Sequence, residues 1–354
     1  MSVRAVLGQV LSLAFCLSFV GASCGQKSLA VMPGVLNDPG NHSLRRALFS
    51  YAQGQICKET QKRSVPIKLR ADDPATGRFF PTSCSAKELE NENLSLQFGG
   101  HGYAWSNLTK RVSFDAGGTV EYQHDFLMDG STMYVYFRQK STSATTFTTR
   151  LVEQTPPSLP GMAGGSTQGF LDTVGAQILK NELARGFTVI RDSDGHVDFG
   201  LGVVEKGKRP ASPYRIEPGT GRMVLANERS EVHQNQREHA GPFEVTGKGQ
   251  ALYLSVAIDG APAIDVLVVQ RGLGEAWLTQ YTTTVAPTPP PAAPVLDEAV
   301  TMGMVWRRTV PLPAGQYYVV FDNTAAAGRT APAGQGNDDR AALVSYAVEL
   351  GDAP

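Results

Sequence analysis

Residues 119–138, Thr119-Val-Glu-Tyr-Gln-His-Asp-Phe-Leu-Met-Asp-Gly-Ser-Thr-Met-Tyr-Val-Tyr-Phe-Arg138, read as two strands facing each other across a tight turn. Apolar residues alternate with polar ones on the approach, Asp129-Gly130 supplies the positive backbone angles a short hairpin needs, and aromatic and β-branched residues resume after it. The same signature spreads outward. Strands are expected at Leu94–Phe98, Arg111–Phe114, Thr119–Phe126, Thr132–Arg138 and Thr145–Val152, with Gly117-Gly118 as a further break. Consecutive strands joined by short turns make an antiparallel meander.

A Pro- and Gly-rich stretch, Gln154-Thr-Pro-Pro-Ser-Leu-Pro-Gly-Met-Ala-Gly-Gly-Ser166, closes this region. Such a composition favours a linker over packed structure. Beyond it, Phe170, Leu171, Val174, Ile178, Leu179 and Leu183 recur at helical spacing, with Gly186 as the stop. A hairpin from Phe187 to Val204 should follow. The polar run Ala226–Ala240, rich in Glu, Arg, His and Gln, reads as a surface segment or an exposed strand. Further strands are expected at Phe243–Val245, Ala251–Ile258, Ala263–Gln270, Glu275–Thr283, Met304–Val310, Gln316–Phe321 and Ala342–Leu350, a number and spacing that suit a β-sandwich.

Toward the N-terminus, Leu44, Leu48, Tyr51, Ala52 and Ile56 mark one face of a helix capped at Asn41 or Ser43. The first residues place Arg4 ahead of an apolar run to Val20 and the small residues Gly21, Ala22 and Ser23. A cation, a short apolar segment and a small-residue exit are the parts of a secretory signal. Val20-Gly-Ala-Ser-Cys24 resembles a bacterial lipobox, which implies a diacylglycerol on Cys24; ordinary cleavage after Ala22 is the alternative. Cys24 is followed by Gly25 and Gln26 rather than by an inner-membrane retention aspartate, which points to an outer-membrane lipoprotein, or a secreted protein if no lipid is attached.

The four cysteines support export. Cys16 would leave with the signal, and with Cys24 lipidated, Cys57 and Cys84 remain as one disulfide pair in an oxidising compartment. That bridge would stabilise the fold by roughly 3 kcal/mol. The expected organisation is a signal peptide at 1–23, a helix plus antiparallel β domain at 24–154, a linker at 155–166, a helix–hairpin segment at 167–240 and a C-terminal sandwich at 241–354. The fold class is mainly β with two helices.

Composition agrees with many short strands and turns: 37 Gly and 22 Pro in 354 residues. A net charge of −1 with 18% charged residues gives no electrostatic basis for a nucleic-acid partner. After the signal no apolar run approaches a membrane-spanning length.

Val310-Pro-Leu-Pro-Ala-Gly-Gln-Tyr-Tyr-Val-Val-Phe-Asp-Asn-Thr324, closing with Leu343-Val-Ser-Tyr-Ala-Val-Glu-Leu350, resembles the last strands of jelly-roll accessory domains of the GOLD and pre-peptidase C-terminal kind. That resemblance covers about the last third of the chain and implies a jelly-roll-like sandwich. Upstream, GRFFPTSC at 77–84, GYAWSN at 102–107 and MYVYFR at 133–138 resemble a group of exported bacterial lipoproteins of unassigned function.

Chemistry-bearing motifs are sparse. There is no G-x-S-x-G, H-E-x-x-H or Walker loop. Asp192-Ser-Asp194-Gly-His-Val-Asp198 sets three aspartates around a glycine turn, a spacing that can converge oxygens on calcium, while Asp194-Gly195 is equally a hairpin pair. Tyr103 and Trp105 are candidates for stacking on a sugar ring, against core packing, the usual fate of strand aromatics. Glu228, Glu231 and Glu238 offer an acid/base pair, although their run has the composition of a solvated face. The expectation is therefore a non-catalytic envelope lipoprotein that binds a protein or glycan or adds to envelope structure, held at the membrane by its lipid and without a cofactor. A hydrolase with a site illegible in one sequence, or a calcium-dependent glycan-binding protein, are the competing readings.

Overall fold

The computed structural model describes residues 33–62, 64–70, 72–155, 167–192, 197–210, 214–330 and 341–354. The signal-like start, Cys24, most of the linker and Asp194 lie outside the described residues. No helix among the described residues is long and apolar enough to cross a membrane.

The first unit is a seven-stranded antiparallel meander in sequence order: β1 (Val65–Ile67), β2 (Gly77–Glu88), β3 (Leu94–Ser106), β4 (Lys110–Asp129), β5 (Thr132–Val152), β6 (Phe187–Arg191) and β7 (Val197–Leu201). The Asp129↔Thr132 pairing closes the expected hairpin around Gly130, whose φ is +58°. The short strands read from the sequence merge into longer ones. Irregular register at Ser113/Phe114, Gly117/Thr119 and Glu121/Tyr122 lets β4 bend without ending.

Cross-strand partners share a face, so the sheet's two sides can be read from its register. One side carries Leu94, Val120, Tyr122, Phe126 and Phe137, buried with Leu36 and Phe49 of helices α1 (Pro33–Leu36) and α2 (His42–Lys62). The Cys57–Cys84 disulfide ties α2 to β2 with its Cα atoms 5.3 Å apart. Helix α3 (Thr167–Ala184) lies against β5, where Gly175 faces the Phe147 ring. It stops at Gly186, whose φ is +67° and whose missing Cβ would come within 2.1 Å of the Phe137 carbonyl oxygen.

The second unit is a sandwich of two four-stranded antiparallel sheets. One runs β13 (Trp306–Pro311), β10 (Gln250–Asp259), β15 (Ala342–Asp352), β8 (Met223–Val232). Its companion runs β12 (Leu296–Thr301), β11 (Ala263–Gln270), β14 (Gly315–Asn323), β9 (Gln236–Val245). Leu252, Leu254, Val256, Ile264, Val266, Val268, Val319, Phe321 and Val348 fill the space between the sheets. The intervening residues Leu267, Val269, Tyr318 and Val320 point the other way, beneath Trp277 and Leu278 of helix α4 (Arg271–Tyr281). Burial on both faces explains why β11 is apolar almost throughout.

Two expectations change. The hairpin at 187–201 joins the first sheet through Phe137↔Phe187, and β8 and β9 are sandwich strands, so no separate helix–hairpin segment spans 167–240. The expected strand Glu275–Thr283 is mostly helix α4, because Gly274, Trp277, Leu278 and Tyr281 are buried at helical spacing. The stretch 66–81 holds most of β1 and the start of β2. There, a shift between Pro81 and Ser83 accommodates a proline inside the strand.

Candidate functional site

The sandwich has two flanks, each where the end strands of both sheets lie near one another. At the β8/β9 flank the first unit closes the gap. Ala75, just before β2, bridges to β8, its N–H donating to the Arg229 carbonyl and its own carbonyl accepting from Glu231 N–H, both at 2.8 Å. From β2, Arg78 then inserts between β8 and β9. Its Nε donates to Glu238 Oε1 at 2.5 Å, and Nη2 donates to Glu228 Oε2 and to the Tyr346 hydroxyl, both at 2.7 Å. Nη1 reaches Ser64 Oγ at 3.1 Å. The Arg78 and Glu238 side chains keep only 2% and 4% of their surface, while Glu228 keeps 21%.

Tyr103 shares its sheet face with Arg78, its register partner. Its hydroxyl lies 2.7 Å from Glu238 Oε2, and 3.4 Å from His239 Nδ1. The His239 backbone N–H donates to the same hydroxyl at 3.3 Å. Phe80 stacks on the His239 ring, and Tyr281 of α4 meets Tyr103 edge-on. Arg111 of β4 lies over the Tyr281 ring at 3.9 Å and donates to the Thr284 and Val285 carbonyls. Arg237 is fully buried against Asp322, with Nε to Oδ2 at 2.8 Å, and lies over Trp277.

Burial sets the electrostatics here. It pushes the Glu238 carboxyl above its ordinary range despite Arg78, and the Tyr103 hydroxyl rises with it. Burial would raise Glu228 too, but Arg78 and Tyr346 hold it below the ordinary value. His239 sits well below the usual imidazole range through burial, Arg78, His101 and Arg237. Buried charges of this kind are tolerated only when paired.

Among the described residues the β12/β13 flank is open. A hollow of about 620 Å³ lies there, lined by Val295, Leu296, Asp297, Glu298, Ala299, Arg308 and Arg329. Arg308 of β13 grips Glu298 of β12 with two bonds of 2.7 and 2.6 Å, and Trp306 Nε1 donates to the same carboxylate at 3.3 Å. Arg329 lies 3.7 Å from Asp297. Val295, Met302, Met304 and Val305, in and beside these strands, are exposed apolar residues.

The residues singled out in the sequence fall in different places. Asp192 and Asp198 do come together, but on Arg209, which donates to both Asp192 oxygens at 2.7 and 2.8 Å and to Asp198 at 3.0 Å. A guanidinium supplies the cation these two carboxylates share. Among the described residues no group of three or more His, Cys, Asp or Glu side chains could hold a metal ion. Tyr103 retains 4% of its surface, so its ring belongs to the joint and does not face solvent as a stacking platform. Trp105, partly buried, is stacked on His233 and has Lys110 over its ring. The run 226–240 is not a solvated face: Arg237, Glu238 and His239 are buried at the joint, and Glu228 is partly covered there. Arg78, Arg111 and Tyr346 were not singled out at all. The available signal was an arginine within the otherwise apolar strand start Gly77-Arg-Phe-Phe80.

No family model and no curated protein matches this chain. Among solved structures, a glycoside hydrolase family 43 arabinoxylan arabinofuranohydrolase from Bacillus subtilis, in complex with cellotetraose, aligns at 9% identity over 77% of this chain and 67% of that one. Its TM-score is 0.17, too poor a superposition to transfer fold or function.

Proposed function

We propose that this chain is an exported, lipid-anchored, non-catalytic module of the bacterial envelope that binds a protein or glycan partner at the open β12/β13 flank. The observation that carries this reading is how the titratable side chains are used. Arg78, Glu228, Glu238, Tyr103 and Tyr346 join the two β units to each other, and among the described residues the hollow on the opposite flank faces outward. Its paired carboxylates and guanidiniums suit hydrogen bonding to a polar partner. The Cys57–Cys84 disulfide is consistent with an extracytoplasmic compartment.

Two experiments test it. Labelled palmitate should enter the chain at Cys24 and processing should stall with globomycin; an unlabelled mature protein starting after Ala22 removes the anchor. A photo-crosslinking residue at Arg329, in living cells, should give a discrete adduct that is lost when Arg308→Ala is added, whereas one at Lys180 on α3 should not. Equal adducts at both positions, or none at Arg329, would count against the hollow as the binding site.

A further inference from the structure

Charge counting at the joint leads beyond binding. Arg78 is the one cation hydrogen-bonded to Glu228 or Glu238 among the described residues, and it faces both carboxylates. Two ionised carboxylates would leave one negative charge uncompensated at a position where Glu238 keeps 4% of its side-chain surface. Glu228, with 21% exposed, retains contact with water and is the better placed to stay ionised. The remaining groups around Glu238, Tyr103 and His239 are His101 of β3, Arg237 of β9, Tyr346 of β15 and Tyr281 of α4, with Lys68 acting on Glu228. Tyr346 and Tyr103 are neutral phenols, and Arg237 is engaged by Asp322.

We infer that Glu238 is a buried proton-binding site, relayed through the Tyr103 hydroxyl to His239, so that gain or loss of one proton by Glu238 switches the neutral His239 ring between its two tautomers. With Glu238 protonated, its O–H donates across 2.7 Å to the Tyr103 oxygen, and Tyr103 donates across 3.4 Å to an unprotonated His239 Nδ1, leaving the ring proton on Nε2. The His239 backbone N–H donates to the same Tyr103 oxygen in both states. With Glu238 ionised, Tyr103 turns its proton to the carboxylate, and Nδ1 carries the ring proton and donates to the Tyr103 oxygen. The Glu238 proton passes to Tyr103, that of Tyr103 to Nδ1, and the Nε2 proton passes to solvent water; one proton is lost to solvent, and no charge remains on the tyrosine or the imidazole. The directions in which burial displaces the two groups, Glu238 upward and His239 downward, keep the carboxyl protonated and the ring neutral over a common pH range. Because these residues join β3 to β9, the protonation state is written into the contact between the two β units.

The test is nitrogen NMR of the intact protein labelled at histidine, titrated from acid to alkaline pH. In the wild type, His239 Nδ1 should change from acceptor-type to protonated while Nε2 does the reverse, the ring never becoming imidazolium. In Glu238→Gln the amide donates to Tyr103 as the acid did, so Nδ1 should stay unprotonated at every pH; in Tyr103→Phe the ring should lose its dependence on Glu238. A single tautomer across the wild-type titration, an imidazolium form, or a switch that survives in Glu238→Gln overturns the inference. Should neither variant fold, the carboxyl carbon of Glu238 in the wild type decides: titration above the ordinary value of about 4.3, in step with the His239 change, supports the relay, and a separate or lower midpoint overturns it.

Discussion

The two flanks of the sandwich use the same chemistry and arrive at opposite ends. On each, an arginine holds a glutamate from a sandwich end strand: Arg78 with Glu238 at 2.5 Å, and Arg308 with Glu298 at 2.6 Å. Burial differs. The first pair keeps 2% and 4% of its side-chain surface, the second 49% and 26%. Water screens the exposed pair and side-chain entropy offsets what attraction remains, so it shapes a surface and contributes little to stability. Arg78 cannot be taken out of the buried cluster without stranding the Glu228 carboxylate, which makes the cluster a fastener even where an apolar replacement would have been more stable.

Breaking that contrast at its strong end should have the largest effect. Arg78→Ala strands the Glu228 carboxylate and takes the Arg78 hydrogen bond from Glu238, and is expected to cost about 3–5 kcal/mol in urea unfolding; a loss below about 1 kcal/mol would mean that the flank is held by apolar contact alone. Replacing Cys57 and Cys84 together by Ser should cost about 3 kcal/mol. The faster hydrogen exchange should be confined to α2 and β2, leaving β10 and β11 unchanged. Tyr346→Phe, which removes one hydrogen bond to Arg78 and one to Glu228, should cost about 1 kcal/mol.

The same flank should also respond to pH. Because the folded protein holds the Glu238 proton more tightly than the unfolded chain, stability should fall as pH rises from the ordinary Glu value through the folded one. Glu228 acts in the opposite sense, its contribution fading as pH drops below that ordinary value. Urea midpoints across pH, with Glu238→Gln losing the decline on the alkaline side, would separate the two. At the weak end, Arg308→Ala should leave the urea midpoint unmoved while abolishing the adduct at Arg329. A clear loss of stability there would erase the distinction between the flanks.

Much of the fold was legible because its strands bury one side and turn at Asp129-Gly130, although Gly117-Gly118, read as a break, lies inside the continuous strand β4. The Cys57–Cys84 bridge followed from export and cysteine parity. What escaped was whatever depends on the second unit. β9 is polar because the first unit covers it, so Arg237, Glu238 and His239 carry the composition of a surface while sitting in the interior. Arg78 meets Glu238 across 160 positions of sequence, beyond any local pattern. Helix α4 was read as a strand because Glu275–Thr283 mixes aromatic and polar residues with threonines, and only its packing on Val269 and Tyr318 makes the helical spacing visible.

The disulfide between α2 and β2 also sets how the molecule would bear a mechanical load. Tension applied at the N-terminal end can unspool α1 and the part of α2 ahead of Cys57, but there it meets a covalent bond. The force then bypasses the rest of α2 and enters β2 at Cys84, six positions beyond Arg78 in the same strand. A tether at that end would therefore pull on the strand that is keyed into the sandwich, and slack in the chain is limited to the residues before the bridge.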